Sequence, residues 1–267
     1  MTKTSCIITL LCSLSLASIS LSAHAGIDKI RLTAEERNYL TSRAPIKLCI
    51  DPNWMPYEAW DPKLGYIGIA ADYVAVYSQM LDVEFEVRET KTWQQSLDVT
   101  RSGGCDVLSF LNQTPRRSQW LIFTAPYVEA EAALATLKNV YGIRNLKSLR
   151  GKTVAVVEGY VYEEYLRTNY PRVIVSRVDS TDDALQKTAN GEVVATIESL
   201  FVLRYKIAKL GLKNLTVSGR TKYVNRYRFG VRKDQAMLRK ILDKAIMQIE
   251  PKVENKILRK WSLEHNF

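Results

Sequence analysis

Short apolar runs alternate with amphipathic segments along most of the chain. The first half predicts, in order, strand 46–50, helix 69–81, strand 83–87, a helix from Thr92, and strand 106–111. Thr92 and Gln95 form a TxxQ capping box at the start of the second helix, and Gly103 and Gly104 end it. Strands that alternate with helices in this way indicate the βαβ units of a parallel sheet.

The second half of the chain repeats this plan. We expect strands at 132–137, 153–157, 193–197 and 227–231, and a last helix that carries Ile257 and Trp261. An SxxD start at Ser180 precedes a helix ended by Gly191, so Leu185 and Gly191 have the spacing of six seen between Leu97 and Gly103. The pattern predicts an α/β fold of two similar βαβ lobes.

A further amphipathic helix is expected near the C-terminus. Its apolar face consists of Leu238, Ile241, Leu242, Ala245, Ile246 and Ile249. Asp234 is the residue we expect at its N-cap, because a short acidic side chain there can accept a hydrogen bond from the first turn.

Two arginines follow the apolar run 106–111, after a polar turn that contains Thr114. Arg116 and Arg117 would therefore lie at the carboxyl end of a strand, the edge at which open α/β sheets bind ligands. A guanidinium grips a carboxylate through two parallel hydrogen bonds, so this position favours anion capture. A pair of solvated surface arginines is the alternative.

The first 25 residues have the features of a secretory signal peptide. Lys3 is their only charge, the run from Ile7 to Leu21 is apolar and rich in serine, and Ala23 to Ala25 forms an AxA cleavage site. Cys12 lacks the small residues that precede a lipid-modified cysteine, so we expect a free periplasmic protein. No later run reaches the roughly 20 apolar residues that span a membrane.

The formal net charge of +10 falls to +9 after cleavage, because the leader holds one lysine and no acid. This basic balance favours anionic partners. The lysines and arginines are scattered, without a dense basic run interleaved with aromatics, so we expect no binding to nucleic acid.

Few residues suited to metal binding or nucleophilic catalysis are left after cleavage. Two cysteines remain, Cys49 and Cys105, and one histidine, His265. We therefore expect no zinc site, no cofactor and no Ser/His/Asp or Cys/His catalytic set. The two cysteines are either a disulfide or packed free thiols.

Four segments in order carry a resemblance to a known family. They are LCIDPNWMPYE at 48–58, GIAADYV at 68–74, TPRR to FTAPY at 114–127, and LRGKTVAVVEGY at 149–160. The chain after residue 40 resembles the family 3 extracellular solute-binding proteins, and in particular the venus-flytrap modules of bacterial sensor kinases. This resemblance implies the type II periplasmic-binding-protein fold, in which the strands of Cys49 and Cys105 are neighbours.

The resemblance also implies how the lobes are built. Lobe 1 would contain residues 26–129 and 225–267, lobe 2 residues 130–224, and the two crossing segments would form a hinge. A small ligand held between the lobes stabilises the closed form of such a protein. We expect a monomer that hands its ligand to a membrane permease or a sensor.

Site residues follow from the same resemblance. Arg117 matches the arginine that grips a ligand carboxylate, and Trp54 matches the aromatic on which the ligand stacks, although a packed core tryptophan is the alternative. The full set expected at the ligand is Trp54, Tyr57, Ser109, Phe110, Asn112, Thr114, Arg117, Tyr160 and Ser199.

Departures from the pattern of amino-acid binders bear on the ligand. Ser199 stands where those proteins have the acid that receives the ligand ammonium, and Asn112 stands where they have a small hydroxyl. Glu198 is adjacent, but neighbouring residues on a strand point to opposite faces. We therefore expect a carboxylate or other small anion without an amine.

Two other functions remain open at this stage. Some proteins of this fold are periplasmic dehydratases of cyclic carboxylic acids, and Glu58 or Glu158 could serve there as a general acid. Alternatively, the protein is a signalling subunit whose closed form docks on a membrane receptor.

Overall fold

The computed structural model describes residues 27–264, with side chains to Trp261. The helices are α1 Ala34–Arg43, α2 Ile69–Leu81, α3 Trp93–Arg101, α4 Val161–Asn169, α5 Thr181–Ala189, α6 Leu200–Lys209, α7 Ala236–Gln248 and α8 Pro251–Glu264. The strands are β1 Ile46–Cys49, β2 Asn53–Trp54, β3 Glu58–Asp61, β4 Gly65–Ile67, β5 Phe85–Val87, β6 Val107–Leu111, β7 Leu121–Phe123, β8 Val128–Leu137, β9 Thr153–Val157, β10 Ile174–Val178, β11 Ala195–Ser199 and β12 Leu215–Arg232. The predicted leader 1–25 and His265 lie outside the described residues.

Nine strands pair in the order β10-β9-β11-β8-β12-β6-β1-β5, with β7 beside β12. Strands β9, β10 and β11 are parallel at one end, and β1, β5 and β6 are parallel at the other. Between them, β8 and β12 run antiparallel along most of their length. The predicted architecture of two βαβ lobes joined by two crossing segments is confirmed.

The long strand β12 belongs to both halves of the sheet. Its first part pairs with β8 from Leu215 to Tyr227, and its last part pairs with β6 from Arg228 to Val231. The predicted lobe limits, 129/130 and 224/225, fall inside β8 and β12. Because backbone hydrogen bonds hold both crossing segments together, any opening of the lobes must bend this two-stranded ribbon.

Two helices, α3 and α5, begin at the predicted caps. Thr92 accepts a hydrogen bond from the Gln95 amide at 3.2 Å, and Ser180 accepts one from the Asp183 amide at 3.1 Å. Helix α7 departs from prediction, because it begins at Ala236 after Gln235 rather than after Asp234. Asp234 instead accepts a hydrogen bond from Arg232 Nε at 2.9 Å, so its carboxylate is not available as a cap.

Several elements were not predicted. The segment after β1 forms a three-stranded sheet, β2-β3-β4, and helix α4 begins immediately after Tyr160. Helices α1 and α6 and strand β10 were also missed. The strands of the small sheet have only two to four residues, which is too short to show an alternating pattern.

A disulfide joins Cys49 at the end of β1 to Cys105 just before β6, with their Cα atoms 5.8 Å apart. Of the two alternatives left open by the sequence, the structure contains the bonded one. No helix between residues 27 and 264 combines the length and the apolar character needed to cross a membrane.

Candidate functional site

Arg117 lies at the junction of the two lobes. It begins a 3₁₀ turn after β6, and the hydroxyl of Thr114 accepts a hydrogen bond from its amide at 3.2 Å. The guanidinium donates from Nη1 to Asn112 O at 2.5 Å in lobe 1 and from Nη2 to Gly159 O at 2.9 Å in lobe 2. It also lies 5.5 Å from the centroid of the Trp93 ring, within range of a cation-π contact.

The side chain of Arg117 carries a buried charge. Only 6% of the residue is exposed, and it forms no ion pair with any residue that the structure describes. Burial lowers the pKa of Arg117 to about 10, so the group stays protonated at neutral pH. An unpaired buried cation costs several kcal/mol, and an anionic partner would offset that cost.

An aromatic cluster fills the cleft between the lobes. Trp54 is central to it, with its ring centroid 4.9 Å from that of Tyr57 and 5.6 Å from that of Tyr160. Phe110 stacks on Tyr227 at 4.3 Å. Little space is left, because the cavity among these rings, which Arg117 also lines, has a volume of only about 20 Å³. That is room for about one water molecule.

Hydrogen bonds across the cleft hold the lobes together. Tyr57 and Ser199 share one at 2.6 Å between their hydroxyl oxygens, and the Tyr160 hydroxyl donates to Asp51 Oδ2 at 2.6 Å. At the far end of the cleft, Lys206 Nζ donates to Asn53 O at 3.0 Å and to Asn53 Oδ1 at 2.8 Å. The structure therefore shows the closed arrangement of the lobes.

Three buried carboxyl groups lie near the aromatic cluster: Asp51, Glu58 and Glu198. Desolvation raises the pKa of Asp51 above its usual value and the pKa of Glu58 and of Glu198 to about 8. Among them, Asp51 lines the small cavity. Glu198 accepts hydrogen bonds from the Ser199 amide at 2.5 Å and from the Tyr162 hydroxyl at 3.5 Å.

Glu198 thus lies closer to the cavity than strand alternation predicts, because Tyr162 is one of the cavity-lining residues. The buried indole N–H of Trp54 has no hydrogen-bond partner among the described residues. Strand β11 ends at Ser199, where strict alternation no longer applies.

The predicted site residues separate into three groups. Trp54, Phe110, Asn112, Arg117 and Tyr160 line the small cavity. Tyr57 and Ser199 lie next to it and bond to each other across the cleft.

The other two predicted residues, Ser109 and Thr114, lie outside the cavity lining. Ser109 donates to Glu58 Oε2 at 2.5 Å and so faces the interior of lobe 1. The Ser109 hydroxyl is thus engaged by a buried carboxyl of lobe 1 rather than directed into the cavity. Thr114 lines a separate chamber on the other side of Arg117.

Some cavity residues were not predicted. Asp51 lies two residues after the end of β1, and the rule that ligands bind beyond strand carboxyl ends would have found it. Asn225 gave no such signal. Its Oδ1 accepts hydrogen bonds from Asn112 Nδ2 at 3.1 Å and from the Tyr162 hydroxyl at 3.0 Å, so this β12 residue connects both lobes at the hinge.

A family model for bacterial extracellular solute-binding proteins, family 3, matches residues 46–264. The chain belongs to this family. One relative is the virulence sensor protein BvgS of Bordetella pertussis (strain Tohama I), 24% identical over 201 residues that cover 74% of this chain and 16% of the sensor. Another is the ABC transporter arginine-binding protein 1 of Escherichia coli K12, 30% identical over 87 residues that cover 33% of this chain and 35% of that protein.

The fold also resembles that of a solved sensor domain. A 3.1 Å crystal structure of the B. pertussis BvgS periplasmic domain superposes with a TM-score of 0.79 at 21% identity, covering 86% of this chain and 45% of that one. This likeness shows the fold. The chain spans about a sixth of the whole sensor's length. Together, the matches identify a ligand-binding protein of extracytoplasmic type.

Proposed function

We propose that this protein binds a small carboxylate-bearing ligand between its two lobes in the periplasm, with the Arg117 guanidinium as the anchor. The observation that carries this proposal is the buried charge of Arg117, which has contacts to backbone oxygens of both lobes and no ion pair within the described chain. A ligand carboxylate there would neutralise that charge and contact both lobes at once.

Entry of a ligand among the aromatic rings requires a change of conformation. A cavity of about 20 Å³ is far below the several hundred Å³ of ordinary ligand sites. A ligand therefore competes with the aromatic cluster and the cross-cleft hydrogen bonds, or it enters by moving them. The ligand shifts the equilibrium between the open and closed forms. It can do so only if its affinity for one form is greater than its affinity for the other.

Such a shift could serve a transporter or a receptor. We propose a monomer that presents its state to a membrane sensor or permease, in line with the names of its sensor and transporter relatives. The ligand that we favour carries no amine, because Ser199 stands where amino-acid binders have an acid.

An amino acid is the second candidate, and the position of Asp51 favours it. The Asp51 carboxyl lines the small cavity, and Glu198 lies near it, so an ammonium group entering there would meet buried acids. The relative from E. coli is named for arginine.

A thermal-shift screen separates these candidates. A ligand at about 100 times its dissociation constant adds about 2.7 kcal/mol of stability, which is easily measured. We expect amine-free carboxylates to raise the melting temperature of the mature protein and Arg117→Lys to reduce that rise, because lysine cannot form the two-pronged contact. A rise with arginine or glutamine alone would favour the second candidate. If Arg117→Lys leaves the rise in melting temperature unchanged for every carboxylate, the proposed function is wrong.

Catalysis is not part of this proposal. Glu58 accepts hydrogen bonds from the Asp51 amide, Tyr66 and Ser109 inside lobe 1, away from the cavity lining. Glu158 is partly exposed and lies 3.9 Å from Arg177. Incubation with prephenate-like acids should yield no product, and turnover that Glu58→Gln abolishes would contradict this.

A further inference from the structure

A second and larger space opens on the other side of Arg117 from the aromatic cluster. This outer chamber has a volume of about 370 Å³, which is within the range of ordinary ligand sites. Its walls come from both lobes: α3 and the turn at Arg117 on one side, and α4 on the other. Five arginines and three acidic residues line it.

The three acids already have partners. Glu163 Oε1 accepts hydrogen bonds from Arg177 Nε at 3.0 Å and Arg177 Nη2 at 2.6 Å, and Arg167 Nε lies 3.1 Å from it. Glu164 Oε1 accepts a hydrogen bond from the Arg116 amide at 3.3 Å. Asp98 Oδ1 accepts one from Gln94 Nε2 at 3.0 Å.

Three of the five arginines have no acidic side chain within ion-pair distance among the described residues. Arg101, Arg116 and Arg117 form no ion pair with any residue between 27 and 261. A guanidinium has five N–H donors, and Arg117 uses one on each terminal nitrogen for backbone oxygens. The other three donors have no hydrogen-bond acceptor among the described residues, although Arg117 is only 6% exposed, and Arg117 borders both the small cavity and the chamber.

We propose that the outer chamber is an anion site for a small molecule with two or more carboxylate or phosphate groups. One group contacts Arg117, and a second contacts Arg101 or Arg116 at the rim. This inference rests on the proposed role of Arg117 as anchor, and it places the anion outside the aromatic cluster. The small cavity inside is lined by Arg117 and Asp51, one basic and one acidic residue, whereas five arginines against three acids give the chamber an excess of positive charge that attracts an anion.

Titration calorimetry on the mature protein tests the proposal with citrate, pyrophosphate and acetate at fixed ionic strength. Citrate or pyrophosphate should bind more tightly than acetate, and the tighter of the two identifies the chemistry as carboxylate or phosphate. The double variant R101Q/R116Q should weaken that binding about two- to fivefold, since the second group forms one exposed ion pair with either arginine. Both residues are exposed, so the variant should fold.

Arg37→Gln is the matched control, because Arg37 is an exposed arginine on α1, remote from the chamber lining. It should leave the affinity unchanged. The proposal is overturned if R101Q/R116Q binds like the wild type, or if neither citrate nor pyrophosphate binds.

The same experiment separates this inference from the proposed function. If Arg117→Lys weakens carboxylate binding but R101Q/R116Q does not, the proposed function stands and the chamber is not the anion site. If R101Q/R116Q weakens pyrophosphate binding and no carboxylate binds at all, the chamber is an anion site but the proposed carboxylate-binding function is wrong.

Discussion

Replacing Lys206 with methionine should loosen the closed form. Its ammonium, on a side chain only 4% exposed, donates two hydrogen bonds to Asn53 across the cleft and lies 2.7 Å from Asp182 within its own lobe. When the lobes open, the bonds to Asn53 break while the pair with Asp182 can persist. The variant should therefore destabilise the closed form more than the open one.

The size of the effect follows from these contacts. Hydrogen bonds that involve a charged group contribute about 1.5–3 kcal/mol each. Two at the lower limit give about 3 kcal/mol, and each 1.4 kcal/mol is a tenfold change in an equilibrium. The ratio of open to closed protein should rise about a hundredfold in Lys206→Met.

Hydrogen exchange of tryptophan side chains can measure this ratio even when the open form is rare. The Trp93 indole N–H donates to Gly159 O across the cleft at 3.2 Å, so its exchange needs opening. The Trp261 indole N–H donates to Asp72 within lobe 1 at 2.8 Å and serves as the internal reference. By NMR, exchange at Trp93 should accelerate about a hundredfold in the variant, with Trp261 unchanged.

Lys209→Met is the control variant, because Lys209 lies on the same helix but is exposed. It should exchange like the wild type at both indoles. Equal rates at Trp93 in Lys206→Met and wild type would refute the idea that this lysine holds the lobes together. Parallel acceleration at both indoles would indicate global destabilisation instead.

Three further outcomes are expected. The free energy of unfolding should fall between about pH 4.5 and 8, because the folded chain keeps a proton on Glu198, whose pKa is about 8, while the unfolded chain releases it. Glu198→Gln should flatten that slope by about 1.4 kcal/mol per pH unit in denaturant titrations, and an unchanged slope would contradict the assignment. Removing the disulfide with Cys49→Ala and Cys105→Ala should lower the free energy of unfolding by up to about 4 kcal/mol, because the bond closes a loop of 56 residues. A melting temperature equal to that of the oxidised wild type would argue against the bond. Gly68→Ala should destabilise the folded protein by well over the roughly 1 kcal/mol expected for Gly211→Ala. A Cβ at position 68 would lie 2.4 Å from Tyr57 O, whereas a Cβ at position 211 would meet open space. Equal losses of stability in thermal denaturation would contradict this close approach.

Local patterns determined much of the fold. The predicted helix 69–81 has the bounds of α2, and Thr92 and Ser180 cap the helices that they were expected to cap. These features depend on side chains within one or two turns of each other, so the sequence alone specifies them. The position of Arg117 beyond β6 followed in the same way, from a buried run and a polar turn.

The closed cleft, in contrast, was decided only by the tertiary structure. Tyr57 meets Ser199 across 142 residues, and Tyr160 meets Asp51 across 109. No local periodicity encodes such pairs, because they form only when two separately folded halves of the sheet approach each other. The burial of Glu198 and the chamber beside Arg117 depend on the same approach. The sequence therefore determined the lobes and the anchoring cation, whereas lobe closure decided which side chains surround that cation.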